Sequence, residues 1–217
     1  MRRPMKTRAH ADAKKQLMKS AEKLRALLSA YRIADSHDRR LIERFEQLIE
    51  GSMTDSEAGS DAAAAIFSRA HFTPGHLTAS ALIVDSERRR LGLIFHKKLG
   101  LWLQPGGHFE EGERDPLEAA RREAAEEIGL HQLEPLSPAL FDLDVHEIPA
   151  RPNEPAHLHH DLRFAFIASG EEAIRLEMSE VSDFAFVELD ALIEERFEGR
   201  TDASVRRAAK KLREVLR

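Results

Sequence analysis

The stretch GGHFEEGERDPLEAARREAAEEIGL, residues 106–130, decides how the rest of this 217-residue chain is read. Its second half is a helix with both ends written into the sequence. Asp115 can cap it, Pro116 suits a first helical position that needs no N–H, Glu118 completes a D-x-x-E capping box, and Gly129 suits the left-handed closing residue. A step of about 100° per residue from Glu123 puts Glu126 about 60° to one side and Glu127 about 40° to the other. Three carboxylates therefore crowd one face of a single turn, while Leu117, Ala124 and Ile128 gather elsewhere and are expected to bury against a sheet. Like charges at these spacings each cost roughly a few tenths of a kcal/mol on an exposed helix. A divalent cation reverses that sign, and a hard cation such as Mg²⁺ takes oxygen ligands. The preceding pair Gly106-Gly107 lets bare backbone approach closely, because no Cβ stands in the way. Taken alone, three glutamates are more often a solvated acidic face.

Working outward, the flanks read as strands. HLTASALIVD (76–85) and RLGLIFHKK (90–98), joined by a polar turn, form an expected hairpin, and WLQPGGHFEEGERD (102–115) is a glycine-punctuated loop. Downstream come ALFDLDVHEI (139–148) and HLHHDLRFAFIA (157–168), joined by PARPNEPA. DFAFVEL (183–189) is a further strand, followed by a helix over 190–197 and a basic amphipathic helix from about Ala203. The N-terminal third is helical. Leu17, Ala21, Leu24, Leu28 and Tyr31 make one apolar stripe, and Leu41, Ile42, Phe45, Leu48 and Ile49 make a second. The second helix is expected to be capped by Ser36 or Asp38 and closed by Gly51, with SMTDSEAGSD (52–61) as a linker.

Composition narrows the function classes. With 42% hydrophobic and 33% charged residues the chain can build a core. No apolar run approaches the roughly 18–20 residues that span a bilayer. The start, MRRPMKTRAH, lacks the apolar stretch of a signal peptide, so a soluble cytoplasmic protein with no membrane partner is expected. Zero cysteines exclude a disulfide framework, a thiolate nucleophile and a Cys-ligated zinc. The net charge of −5 is uneven: residues 1–30 carry nine Lys/Arg against two Asp/Glu and residues 206–217 six against one, leaving −17 between them. A body this acidic is a poor surface for nucleic acid, and none is expected as a partner.

The segment 106–130 resembles the Nudix box, G-x5-E-x7-R-E-U-x-E-E-x-G-U, where U is aliphatic. Gly107, Glu113, Arg122-Glu123, Glu126-Glu127 and Gly129-Leu130 match it. Eight residues rather than seven separate Glu113 from Arg122, an insertion assigned to Arg114-Asp115 ahead of the helix, and Ala124 is a minimal aliphatic residue. The element order from about Leu77 to Phe197 is similar to the Nudix α/β/α sandwich. More narrowly, GHLTASALIVD, HKKLGLWLQPGGH, FDLDVHEIP and EPAHLHHDLRF resemble a bacterial Nudix subgroup with a helical N-terminal extension. The resemblance implies a helical extension over 1–66 and, over 67–217, a Nudix domain with a mixed β-sheet and C-terminal helices. It implies Mg²⁺- or Mn²⁺-dependent hydrolysis of a nucleoside diphosphate linked to X, with a nucleotide-type small molecule as partner. Glu123, Glu126, Glu127 and the Gly106 or Gly107 carbonyl would hold metal, and Arg122 would pair with Glu113. Glu126, Glu127, Glu154 and Glu180 all stay open as the base that takes the water's proton. The rival is a non-catalytic module that senses a nucleotide metabolite, against which the intact glutamate set argues. A Nudix-like isoprenoid diphosphate isomerase would want a cysteine.

Other signals are weighed separately. Period two puts Asp142, Asp144 and His146 on one strand face, and His157, His159, Asp161 and Arg163 on one face of the next. Contact with substrate phosphates, through His159 or Arg163, and a cross-strand hydrogen-bonded ladder are weighed equally, with a second metal site below both. Trp102 and Phe109 could stack on a base, although an aromatic beside a tight loop is more often packing. His96, Lys97 and Lys98 could meet a phosphate or simply form a solvated edge. The N-terminal stripes are too apolar to leave in water, so the extension is expected to pack on the Nudix domain or on a second subunit, giving a homodimer.

Overall fold

The computed structural model describes residues 20–54, 65–168, 172–197 and 199–216, the side chains of 53 and 54 excepted. Leu17 and most of the expected linker lie outside the described residues. The elements are α1 (20–30), α2 (Ser36–Thr54), β1 (Gly75–Val84), β2 (Arg90–His96), β3 (Leu101–Leu103), β4 (Gly106–His108), α3 (Pro116–Ile128), β5 (Leu133–Pro135), β6 (Asp142–Ile148), β7 (His157–Ala168), β8 (Val181–Glu188), α4 (Leu189–Ile193) and α5 (Ala203–Val215). Eight strands form one mixed sheet with the order β3-β2-β1-β7-β5; β4 also pairs with β1, β6 with β7 and β8 with β2. This is the expected α/β/α fold with helices at its N-terminal end.

The chain forms two compact units, and all but one of the boundaries between them fall inside strands. One comprises residues up to Thr78, His108–Arg114 and Leu143–Asp161; the other comprises Ala79–Gly107, Asp115–Asp142 and Leu162 onward.

In the first unit, Leu24, Leu28, Tyr31, Leu41, Phe45, Leu48 and Ile49 are all buried, as their spacing predicts. The start of α2 differs from expectation. Asp35 is its cap, accepting from the His37 and Asp38 amides at 2.8 and 3.0 Å, while Asp38 reaches back to accept from the Ala34 amide at 2.9 Å. The cap thus sits one residue before Ser36, and Asp38 ties down the residue that precedes it. Gly51 does not end α2, because a helical glycine is tolerated and Ser52 Oγ bonds back to the Ile49 carbonyl at 2.8 Å. Phe45 meets His160 of β7 edge-on at 5.3 Å, and Arg44 donates to the Val145 carbonyl at 3.5 Å. α2 therefore packs on the strands of its own chain.

In the second unit, the predicted hairpin forms with Val84 opposite Leu91. β8 pairs along the far edge of β2 from Arg90↔Glu188 to His96↔Val181. One sheet face buries Leu82, Val84, Leu91, Leu93 and Val187 against Leu189, Leu192, Val205, Ala208, Ala209 and Leu212 of α4 and α5. The stretch read as a loop at 102–108 contains the short strands β3 and β4, and β5 had no counterpart in the sequence reading. Strands of three residues show no alternation; their pairing partners define them. The helix expected over 190–197 stops at Ile193, and Glu195 takes a left-handed φ of 55°.

Candidate active site

The carboxylate face is built on α3. The Asp115 side chain accepts from the Leu117 amide, Pro116 opens the helix, and Gly129 closes it at φ 73° with its amide bonded to the Ala125 carbonyl. Pro116, Ala119, Ala120, Ala124 and Ile128 are buried, whereas Leu117 is only half-buried. Small alanines let the helix lie close, and the opposite face is left to Arg122, Glu123 and Glu126.

Close packing also explains the glycine pair. A Cβ on Gly107 would stand 2.7 Å from both carboxylate oxygens of Glu123, and one on Gly106 would lie 2.8 Å from the Ala79 carbonyl and collide with Ser80. The Gly106 amide donates to Glu127 Oε2 at 3.0 Å. Arg122 Nη1 donates to Glu123 Oε1 at 3.0 Å and to Glu126 Oε2 at 2.8 Å, offsetting part of the crowded charge. Burial pushes the Glu127 carboxyl up to about 8; the nearby charges of Glu123, Glu180 and Glu126 add to the rise and the Gly106 hydrogen bond opposes it. Three carboxylates and a backbone with no Cβ supply hard oxygen donors, so the donor set fits a divalent cation of the Mg²⁺ or Mn²⁺ class.

The other residues named from the sequence have varied settings. Glu113 accepts from the Glu110 amide at 3.0 Å. Glu154 lies 3.9 Å from Arg69 and 3.8 Å from Arg151, and Glu180 pairs with Lys98 at 3.2 Å. Lys97 Nζ donates to the Met178 carbonyl. The Phe109 ring is buried and meets Phe67 edge-on at 5.0 Å. Trp102 packs against Phe95 and Phe197 at 5.5 and 5.9 Å, with its backbone bonded to Arg200 and Thr201. Arg163, expected as a substrate contact, is instead 1% exposed. Its guanidinium donates to Asp142 at 3.4 Å and Ser204 at 3.0 Å, and Lys211 completes the group with 2.6 Å to Asp142. A buried guanidinium needs such partners, which leaves Arg163 a structural ion pair.

Of the expected His/Asp strand face, Asp144, His146, His157, His159 and Asp161 lie in the first unit, with more imidazoles beside them than anticipated. Thr78 Oγ1 donates to Asp161 at 3.1 Å, and His146 Nδ1 lies 3.0 Å from Asp144. His159 sits among His76 (ring centroids 4.7 Å), His108 (5.0 Å), His157 (5.2 Å) and His146 (5.4 Å). Burial lowers His76 to about 4 and holds His159 far below the ordinary imidazole range; neighbouring imidazoles contribute to both shifts. The sequence reading did not single out His76 and His108. A signal was available, since His76, Thr78 and Ser80 put polar residues at every second position of a strand that is buried throughout.

A family model for the NUDIX domain matches residues 74–208. No curated protein matches the sequence. Among solved structures, the Ap4A hydrolase of C. elegans aligns with a TM-score of 0.50 at 18% identity, covering 64% of this chain and 96% of its own. The E. coli dihydroneopterin triphosphate pyrophosphohydrolase aligns at 0.47 and 18% identity, covering 62% and 92%. The NUDIX domain of Shewanella oneidensis NrtR, complexed with ADP ribose, aligns at 0.46 and 17%, covering 65% and 88%.

Proposed function

The chain belongs to the NUDIX family and is a Nudix-type hydrolase acting on pyrophosphate bonds, and from that premise we propose that it uses Mg²⁺ or Mn²⁺ to cleave the diphosphate of a nucleoside diphosphate linked to X. Nucleotide sugars, dinucleotides and nucleoside triphosphates share that chemistry. The observation that carries the reading is the close approach of Gly107 to Glu123, where a Cβ would stand 2.7 Å from both carboxylate oxygens, beside the Gly106 amide bonded to Glu127.

In this reading Glu123, Glu126, Glu127 and the Gly107 carbonyl hold the cation. Bound there, it supplies neutralisation of the diphosphate and a lowered pKa for an attacking water. The chain's own groups do the rest. Arg122 holds Glu123 and Glu126 at a common position. The Gly106 amide orients Glu127, which must give up its proton before it can serve as a ligand. Glu113, the first glutamate of the box, steadies its own loop by accepting from the Glu110 amide. The N-terminal extension, 1–66, is an accessory to a Nudix domain of 67–217, and the setting is cytoplasmic. Among the described residues no helix is long and apolar enough to cross a membrane.

The experiment is a panel of nucleoside diphosphate derivatives with Mg²⁺ in ¹⁸O water. A nucleoside monophosphate and a phosphorylated remainder, with the label on one of the two phosphates, is the expected result. Label found only in a sugar or a carboxylic acid would exclude the reaction class. Tight binding of a panel member without turnover would favour the sensor reading instead.

A further inference from the structure

We propose that His76, His108 and His159 form a binding site for a divalent transition metal of the Zn²⁺ class, chemically distinct from the hard oxygen set on α3 and independent of the reading given to it. One ligand nitrogen from each residue lies within 4.8 Å of the others. The three come from three strands, β1, β4 and β7.

The decisive observation is the state of His76. Its ring is 1% exposed. Nδ1 lies 3.1 Å from the His71 carbonyl oxygen, which can only accept, so Nδ1 carries the hydrogen. In the neutral ring Nε2 is then a bare lone pair, and this buried atom has no hydrogen-bond partner. A metal-bound histidine has this arrangement: the far nitrogen donates to a carbonyl or carboxylate, which fixes the tautomer and aims the near nitrogen at the ion. The same outer support recurs nearby, where His157 Nδ1 donates to the Pro155 carbonyl at 2.8 Å.

Ion identity follows from the donors. Imidazole suits Zn²⁺, Cu²⁺, Ni²⁺ and Co²⁺, whereas Mg²⁺ seeks oxygen. A tetrahedral Zn²⁺ bonded at about 2.0–2.1 Å needs ligand nitrogens roughly 3.3 Å apart, so nitrogens as far as 4.8 Å apart must close by about 1.5 Å. Three protein ligands leave a fourth position for water. An ion here would tie the three strands together, and because His108 directly follows Gly107 it would brace the strand that bears the glycine pair.

The test uses full-length, tag-free protein, stripped with chelator and then equilibrated with ZnCl₂ in excess MgCl₂. One equivalent of zinc should be retained after gel filtration, and Co²⁺ in its place should give a visible absorption band. His159→Ala, at a half-buried position, should weaken zinc binding by about 10-fold or more. A Glu126→Gln/Glu127→Gln double variant should retain zinc as the wild type does, as should His131→Ala, an exposed histidine elsewhere. His76→Ala could unfold, so His76 is read in the wild type through its ¹⁵N imidazole signals, where Nε2 should shift on zinc addition. Zinc retained equally by His159→Ala, zinc lost with the glutamate pair, or an unmoved His76 Nε2 would each overturn the proposal.

Discussion

The carboxylate face of α3 and the imidazole cluster of β1, β4 and β7 solve the same problem in different ways. Each gathers like side chains that would repel if all were charged. The carboxylates lean on Arg122, on the Gly106 amide and, in the case of Glu127, on a retained proton. Burial favours the neutral form of His76 and His159, which avoids the conflict there. The first cluster arises within one helical turn; the second needs residues 76, 108 and 159 to be brought together by strand pairing. Crowding of like groups is therefore a local property in one region and a tertiary one in the other.

A fully paired carboxylate sets the upper reference for this comparison. Asp142→Ala would strand the buried Arg163 and remove the partner of Lys211, with an expected loss of about 3–5 kcal/mol in urea unfolding. A loss below 1 kcal/mol would mean that the pair contributes little. Next in size, Glu127→Gln should lower kcat by about 100-fold or more with Mg²⁺ present, on the scale of losing a principal charge-stabilising group. Full activity of this variant, or of wild type in excess EDTA, would remove the metal role given to the carboxylate face. Gly107→Ala tests the close approach alone. Its methyl group would press on the Glu123 carboxylate, so activity should fall by about 10-fold while the melting temperature changes little, since the clash lies with the end of a flexible side chain.

The dependence on pH separates the clusters by sign. The Glu127 carboxyl is raised from 4.5 to about 8 in the fold, so its share of stability is present below pH 4.5 and lost as pH rises through about 8. His76 is lowered from 6.5 to about 4, so its share is present above pH 6.5 and lost as pH falls through about 4. Urea unfolding in chelator across that range should show both limbs. Glu127→Gln should flatten the alkaline limb and leave the acid limb in place; flattening of neither would remove Glu127 as its source.

Much of this was legible in the primary structure, for reasons that are local. The caps of α3 at Asp115 and Gly129, the carboxylates at 123, 126 and 127 and the buried stripe of α1 and α2 follow from helical periodicity and from the backbone needs of helix ends. The Val84–Leu91 hairpin follows in the same way from a short polar turn between two strand-like runs. What tertiary structure alone decided depends on partners distant in the chain. Three-residue strands such as β3, β4 and β5 exist only through their neighbours. Arg163 reads as one more polar residue on an alternating strand, and only Asp142, Ser204 and Lys211 turn it into a buried ion pair. The imidazole cluster is the extreme case, because a histidine's tautomer and its bare nitrogen depend on which carbonyl the fold sets beside it, and no spacing along the chain encodes that.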